Sequence, residues 1–152
     1  MLLTWLLACT PTPPPDPCAA GDTPELEIGT GEVAFEPLDD DPVMELIHGP
    51  QGGYHVLVGL SARFLSIEGT VTGTIEGSIG GEVLARAAPY LELRCNGAEG
   101  ASQSWGTRLI WDSTPEALNG QEAEISATLT DALGNSASAN TTALIWDPTL
   151  ED

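Results

Sequence analysis

Residues 121–131 run Gln-Glu-Ala-Glu-Ile-Ser-Ala-Thr-Leu-Thr-Asp, with a side-chain period of two. In an extended chain Ala123, Ile125, Ala127 and Leu129 share one face, and Glu122, Glu124, Ser126, Thr128 and Thr130 share the other. Such a strand buries one face and wets the other, as antiparallel sheets do. From Pro24 onward no window repeats apolar residues at the i, i+3, i+4, i+7 spacing over a helical length. The domain is therefore expected to be all-β.

Working outward, Val43–His48 and Tyr54–Leu60 flank Gly49-Pro50-Gln51-Gly52-Gly53, which predicts a hairpin with a glycine-rich tip. Further strands are expected near Glu25–Ile28, Val33–Phe35, Ile67–Glu76, Glu82–Arg86, Tyr90–Cys95, Ser104–Trp111 and Ser136–Trp146. Many short strands without helices to cover a parallel sheet predict two packed antiparallel sheets. Leu109-Ile110-Trp111-Asp112 recurs as Leu144-Ile145-Trp146-Asp147. In each copy Leu and Trp share a face, so both tryptophans are expected in the core rather than on a carbohydrate platform.

The stretch from Ala123 to Ala139, with its turn at Asp131, Gly134 and Asn135, resembles the last hairpin of bacterial immunoglobulin-like and fibronectin-type modules. The resemblance implies an immunoglobulin-like antiparallel β-sandwich and a surface-exposed interaction module with no active site attached.

The first nine residues, Met-Leu-Leu-Thr-Trp-Leu-Leu-Ala-Cys, run straight into a stretch with five prolines between Thr10 and Pro17. This start resembles a bacterial lipoprotein signal peptide, with Leu6-Leu7-Ala8-Cys9 as the lipobox and Cys9 as the lipidated residue. Thr10, rather than Asp, follows that cysteine; by the same resemblance the expected destination is the outer membrane or cell surface. The apolar run is far short of the ~20 residues that a transmembrane helix needs. The organisation expected is a signal peptide over 1–9, a disordered proline-rich tether over 10–23 and one sandwich domain over 24–152.

If lipid consumes Cys9, then Cys18 and Cys95 remain as an even pair in an oxidising compartment, and a disulfide between them is expected. The alternative is a buried Cys95 and a thiol at Cys18.

The chain carries 23 acidic residues against four basic ones, all arginine, for a net charge of −19. Nucleic-acid binding needs cations that neutralise phosphates, so this composition excludes it as a partner. Partners expected are the membrane, through the lipid, and an envelope or extracellular protein or glycan.

Candidate chemistry is sparse. His48 and His55 bracket the glycine-rich tip, but two imidazoles fall short of a zinc site even with Glu45 added. For calcium, Asp39, Asp40 and Asp41 and the Asp131/Asn135 turn supply hard oxygen ligands; the acidic run has Val43 and Met44 where an EF-hand loop needs a ligand and a glycine. No cofactor is expected, with calcium the one candidate. No serine sits in a Gly-x-Ser-x-Gly elbow and no cysteine has a histidine nearby in sequence, so no catalysis is expected. The rivals to a lipid-anchored binding, adhesion or structural module are a secreted enzyme, such as a hydrolase, or its accessory domain, and a calcium-stabilised structural domain.

Overall fold

A computed structural model describes Cys18, Gly21 and residues 23–150. The expected signal segment with Cys9, and the prolines of the expected tether, lie outside the described residues. The strands are β1 (Glu25–Thr30), β2 (Glu36–Pro37), β3 (Val43–Glu45), β4 (Ile47–His48), β5 (Tyr54–Arg63), β6 (Val71–Ile79), β7 (Glu82–Ala87), β8 (Tyr90–Leu91), β9 (Arg94–Asn96), β10 (Ala101–Trp111), β11 (Glu122–Thr130) and β12 (Ser136–Trp146). One helical turn, α1 (Pro115–Leu118), and a closing 3₁₀ turn at Pro148–Leu150 complete the description. The fold is all-β, and among the described residues no helix is long and apolar enough to cross a membrane.

Hydrogen bonds join the strands in the order β2-β1-β5-β10-β7-β6-β11-β12-β3, with β4 on β5, β8 on β6 and β9 on β10. The path folds into two layers. One holds β1 and β4 side by side along β5, then β10 and β9; the other holds β7, β6, β11, β12 and β3. The strand order β4-β5-β10-β9 over β6-β11-β12 is that of an immunoglobulin-like sandwich.

The layers are stitched on both sides. Trp111 pairs with Ala85, and the Asp112 N–H donates to Leu84 at 2.8 Å. On the other side Met44 pairs with Ile145 in one layer, and three residues later Ile47 pairs with His55 in the other. The β3–β12 pairing is parallel, so the expectation of purely antiparallel sheets is corrected to a mixed arrangement. The reason is that the chain entering through β3 changes layers at Leu46 and so runs alongside β12 rather than folding back on it.

Between the layers lies a continuous core that includes Val56, Val58, Leu60, Leu109, Ile125, Leu129 and Ile145. The alternation in residues 121–131 places Ala123, Ile125, Ala127 and Leu129 inside, all at most 2% exposed. Trp111 is buried with its ring over Gly77, where an added Cβ would lie 2.6 Å from the indole. Gly77 therefore tolerates no side chain without displacing that ring.

The second copy of the Leu-Ile-Trp-Asp stretch departs from expectation. Ile145 is fully buried, while Leu144 faces outward at 38% exposure and Trp146 is half-buried. Pairing with β11 fixes the phase of β12, placing Ala137, Ala143 and Ile145 inward, and the tryptophan one residue on falls on the other face. Val33–Phe35 is a bend instead of a strand, with Val33 exposed and Phe35 laid over Gly29 and Gly59. The strand expected from Ile67 begins only at Val71, because 65–70 forms a loop that starts after Phe64, whose φ is 60°.

Cys18 and Cys95 form a disulfide across 77 residues, fixing the entry to the domain against β9.

Candidate functional site

The outer face of β5 and β10 forms the floor of an open hollow. Val56, Val58, Leu109 and Trp111 point into the core, which sends His55, Leu57, Arg108 and Ile110 outward. Arg108 pairs in register with Leu57, and Ile110 with His55, which also pairs with Ile47 on its other side. The glycine-rich tip closes one end, folded by hydrogen bonds from Gly49 N–H to Gly53 at 2.7 Å and from Gly52 N–H to Gly49 at 3.1 Å. With Glu45 and Glu32 on the rim, these residues enclose about 880 Å³. That is within the range of ~300–1,000 Å³ typical of ligand sites, and the apolar floor with a few convergent polar groups is the usual composition.

A bulge sets the phase of this face. The β5–β10 register shifts between Ser104 and Thr107, where Gly106 takes φ 70° and donates its N–H to Gly31 at 2.9 Å. Before the bulge even-numbered Ser102 and Ser104 stand opposite the core residues Ala62 and Leu60; after it odd-numbered Leu109 stands opposite the core residue Val56. Without the extra residue Arg108 would point into the core.

Burial, and then the charge of nearby Arg108, lower the pKa of His55 below the usual histidine value. At neutral pH it is an uncharged imidazole that both donates and accepts. Among the described residues the ion pairs are His48–Asp147, Arg63–Glu25 and Arg86–Glu76, which leaves the Arg108 guanidinium without a carboxylate partner. In a chain of net charge −19 this is an unusual group to present on a groove floor.

His48 also borders the groove, but its Nε2 lies 2.7 Å from Oδ2 of Asp147, and its ring stands edge-on to Tyr54 at 5.0 Å. Asp147 is fully buried and also accepts from Thr149, at 2.9 Å from the backbone N–H and 2.7 Å from Oγ1. The pair clamps the hairpin tip to the end of β12. A His–Asp pair is also the base of hydrolytic triads, but Thr149 Oγ1, 3.4 Å from the same imidazole nitrogen, is already committed to Asp147. Among the described residues no three His, Cys, Asp or Glu side chains are placed to hold a metal.

The residues considered for calcium do not come together. Asp40 and Asp41 border a separate hollow with Glu122 and Thr142, at the start of β11. Asp131 follows the other end of that nine-residue strand, roughly 30 Å away at the strand rise. Its oxygens are already occupied: Oδ1 accepts from Leu133 N–H at 2.9 Å and Asn135 N–H at 2.8 Å, and Oδ2 from Ser66 N–H at 3.1 Å and Asn135 Nδ2 at 3.0 Å. Asp131 and Asn135 thus build a turn whose donors fill the carboxylate, and Asp39 lies in an exposed irregular segment.

Burial pushes the carboxyls of Asp131 and Asp147 up, but the hydrogen bonds outweigh it and hold both below the usual range: Asn135, Ser66 and Leu133 act on Asp131, Thr149 and His48 on Asp147. Their contribution to stability is complete above the unfolded carboxyl pKa of about 3.9, and is lost as pH falls through the lower folded values. In about 0.5 M NaCl, which screens repulsion among surface carboxylates, the melting temperature is expected to stay level down to about pH 5 and to fall steeply below pH 4. Asp147→Asn should flatten the acid limb, and a wild-type protein that gained stability down to pH 3 would contradict the assignment.

No protein-family model and no curated protein matches the chain. The candidate-site residues that sequence patterns missed are Arg108 and Asp147, together with the placing of His55 beside Arg108. An arginine alternating with core residues in Arg108-Leu109-Ile110-Trp111 was the available signal; its partners, more than fifty residues away in the chain, were not.

Proposed function

We propose that the protein is a lipid-anchored module of the bacterial cell envelope, held at the outer membrane or cell surface through Cys9, whose sandwich presents the β5–β10 groove to an extracellular or envelope partner. The observation that carries this reading is the Cys18–Cys95 disulfide. Disulfides persist in oxidising compartments outside the cytoplasm, and this one ties the chain at the exit of the proline-rich segment to the body of the domain. Force or thermal motion transmitted along the tether therefore meets a covalent joint before it reaches β1.

The groove supplies an apolar floor, a cation without a carboxylate partner among the described residues and a neutral imidazole. Binding without turnover is the role this combination fits, and no cofactor enters it.

Membrane fractionation tests the anchoring. Wild-type protein expressed from its native upstream region is expected in the membrane pellet, and Cys9→Ala in the soluble fraction. Equal distribution of the two proteins would overturn the proposal.

A further inference from the structure

The outer edge of β12 is open to another chain. β12 pairs with β11 from Ser136 to Leu144 without a break in register, but on its other side β3 reaches only Leu144–Trp146. Among the described residues no strand pairs with that side of β12 from Ser136 to Thr142. Hydrogen bonds fix which backbone groups point there. Ile145 donates to Gln121 and accepts from Gly120, on the β11 side, while Leu144 donates to Pro42, on the β3 side. Along an unbroken ladder the direction alternates, so the N–H and C=O groups of Ser136, Ser138, Asn140 and Thr142 point to the open edge. We infer that two copies of the chain associate there, β12 against β12 in antiparallel register, as one continuous sheet.

Folded proteins protect edges of this length with charged side chains, proline or bulges. β12 is eleven residues long and contains no charged residue, proline or glycine. Its ladder with β11 has no bulge. In a chain with 23 acidic residues, none falls between Asp131 and Asp147. β10 shows the contrast. On its side away from β5 it is unpaired, among the described residues, from Ser104 to Ile110, and there the bulge at Gly106 and the charge of Arg108 guard it.

Charge and symmetry select a second copy as the occupant. A strand fits beside β12 if it is as neutral and as regular as β12 itself. About a two-fold axis at Ala139, Ser138 faces Asn140, Ser136 faces Thr142 and Ala137 faces Thr141. In that register each outward N–H meets a C=O, and no like charges stand opposite one another. Only small or medium side chains flank the joint, so the two strands reach the ladder spacing of ~4.8 Å. The stretch Thr10–Pro17 of the same chain is unsuited to this edge, because its five prolines have no N–H to donate. Against the pairing stands the repulsion of two chains of net charge −19, which salt screens.

The test is made in solution with full-length protein carrying Cys9→Ala, by sedimentation velocity from about 1 to 500 μM. A monomer–dimer equilibrium is expected with a dissociation constant of about 10–100 μM in about 0.15 M NaCl, since one strand pair makes a small interface. It should tighten about threefold or more in about 0.5 M NaCl. Asn140→Pro removes an outward N–H and no bond to β11, and should weaken association about tenfold or more, because the two-fold axis doubles the loss. Asn140→Glu, which places a charge on the edge, should do the same and serves if the proline variant fails to fold. Ala139→Cys is expected to oxidise to a covalent dimer, since residues facing one another at a non-hydrogen-bonded position stand about 4.5 Å apart between Cα atoms, within disulfide reach. Ser136→Cys, whose two copies lie roughly 20 Å apart in the same register, should not.

A protein that stays monomeric across the whole range overturns the proposal. So does a dimer that Asn140→Pro and Asn140→Glu leave unchanged, or one in which Ser136→Cys cross-links as readily as Ala139→Cys. Association that weakens with salt overturns it as well, and assigns the contact to Arg108 and a carboxylate of the neighbouring copy. None of these outcomes depends on lipid at Cys9.

Discussion

Replacing Cys95 with serine is expected to lower the melting temperature by about 15 °C. The bridge spans 77 residues, so it removes a long closed loop from the freedom of the unfolded chain. In the chain-entropy treatment a loop of that length contributes about 4.5 kcal/mol. For a domain of this size each kcal/mol moves the midpoint by about 3–4 °C. Cys18 is buried, and Cys95 lies on β9, a three-residue strand paired with β10. Cys18→Ser should cost the same, and the double variant no more than either single one. Thermal melts with and without dithiothreitol check the result: the reductant should reproduce the loss in the wild type and leave the variants unchanged. A wild-type midpoint insensitive to reductant would contradict it.

Asp131→Ala is expected to cost about 3 kcal/mol, seen as a lower urea midpoint at unchanged slope. The carboxylate is 4% exposed and accepts from four N–H groups, three of them backbone. Truncation leaves those donors without an acceptor and unties Ser66, in the loop between β5 and β6, from the turn between β11 and β12. Asn at this position keeps one accepting oxygen but turns an NH₂ group toward two donors, so Asp131→Asn should recover only part of the loss. Destabilisation below about 1 kcal/mol for the alanine variant would show that water replaces the carboxylate, which the burial argues against.

The strand pattern of this fold was legible wherever burial is one-sided. Residues 121–131 showed their inward face directly, and the glycine-rich segment marked its turn, but of the expected hairpin strand Val43–His48 only Ile47–His48 pairs with β5, Val43–Glu45 lying instead on β12. Legibility failed where long-range pairing overrides local pattern. The repeated Leu-Ile-Trp-Asp stretch predicted two equivalent tryptophans, yet β10 and β12 inherit opposite phases from different neighbours. The turn α1 was missed for another reason: four residues are too few for periodicity, and its signals are Thr114 capping Ala117 N–H and Pro115 at the first position.

The candidate sites were less legible still. Asp131 and Asn135 announced a turn, but not the burial that turns the aspartate into an anchor for donors. His55, Arg108 and Ile47 meet through register, which is not written in nearby residues. Charge was the exception: a net −19 already told against phosphate-bearing partners.

The central claim is that an exported, lipid-bearing chain carries this sandwich, and the most direct test is the intact mass of full-length protein extracted from membranes. The account predicts a chain that begins at Cys9 with the added mass of a diacyl or triacyl glyceryl group, and Cys18 and Cys95 oxidised. An unmodified mass that retains residues 1–8, with free thiols at Cys18 and Cys95, would contradict it.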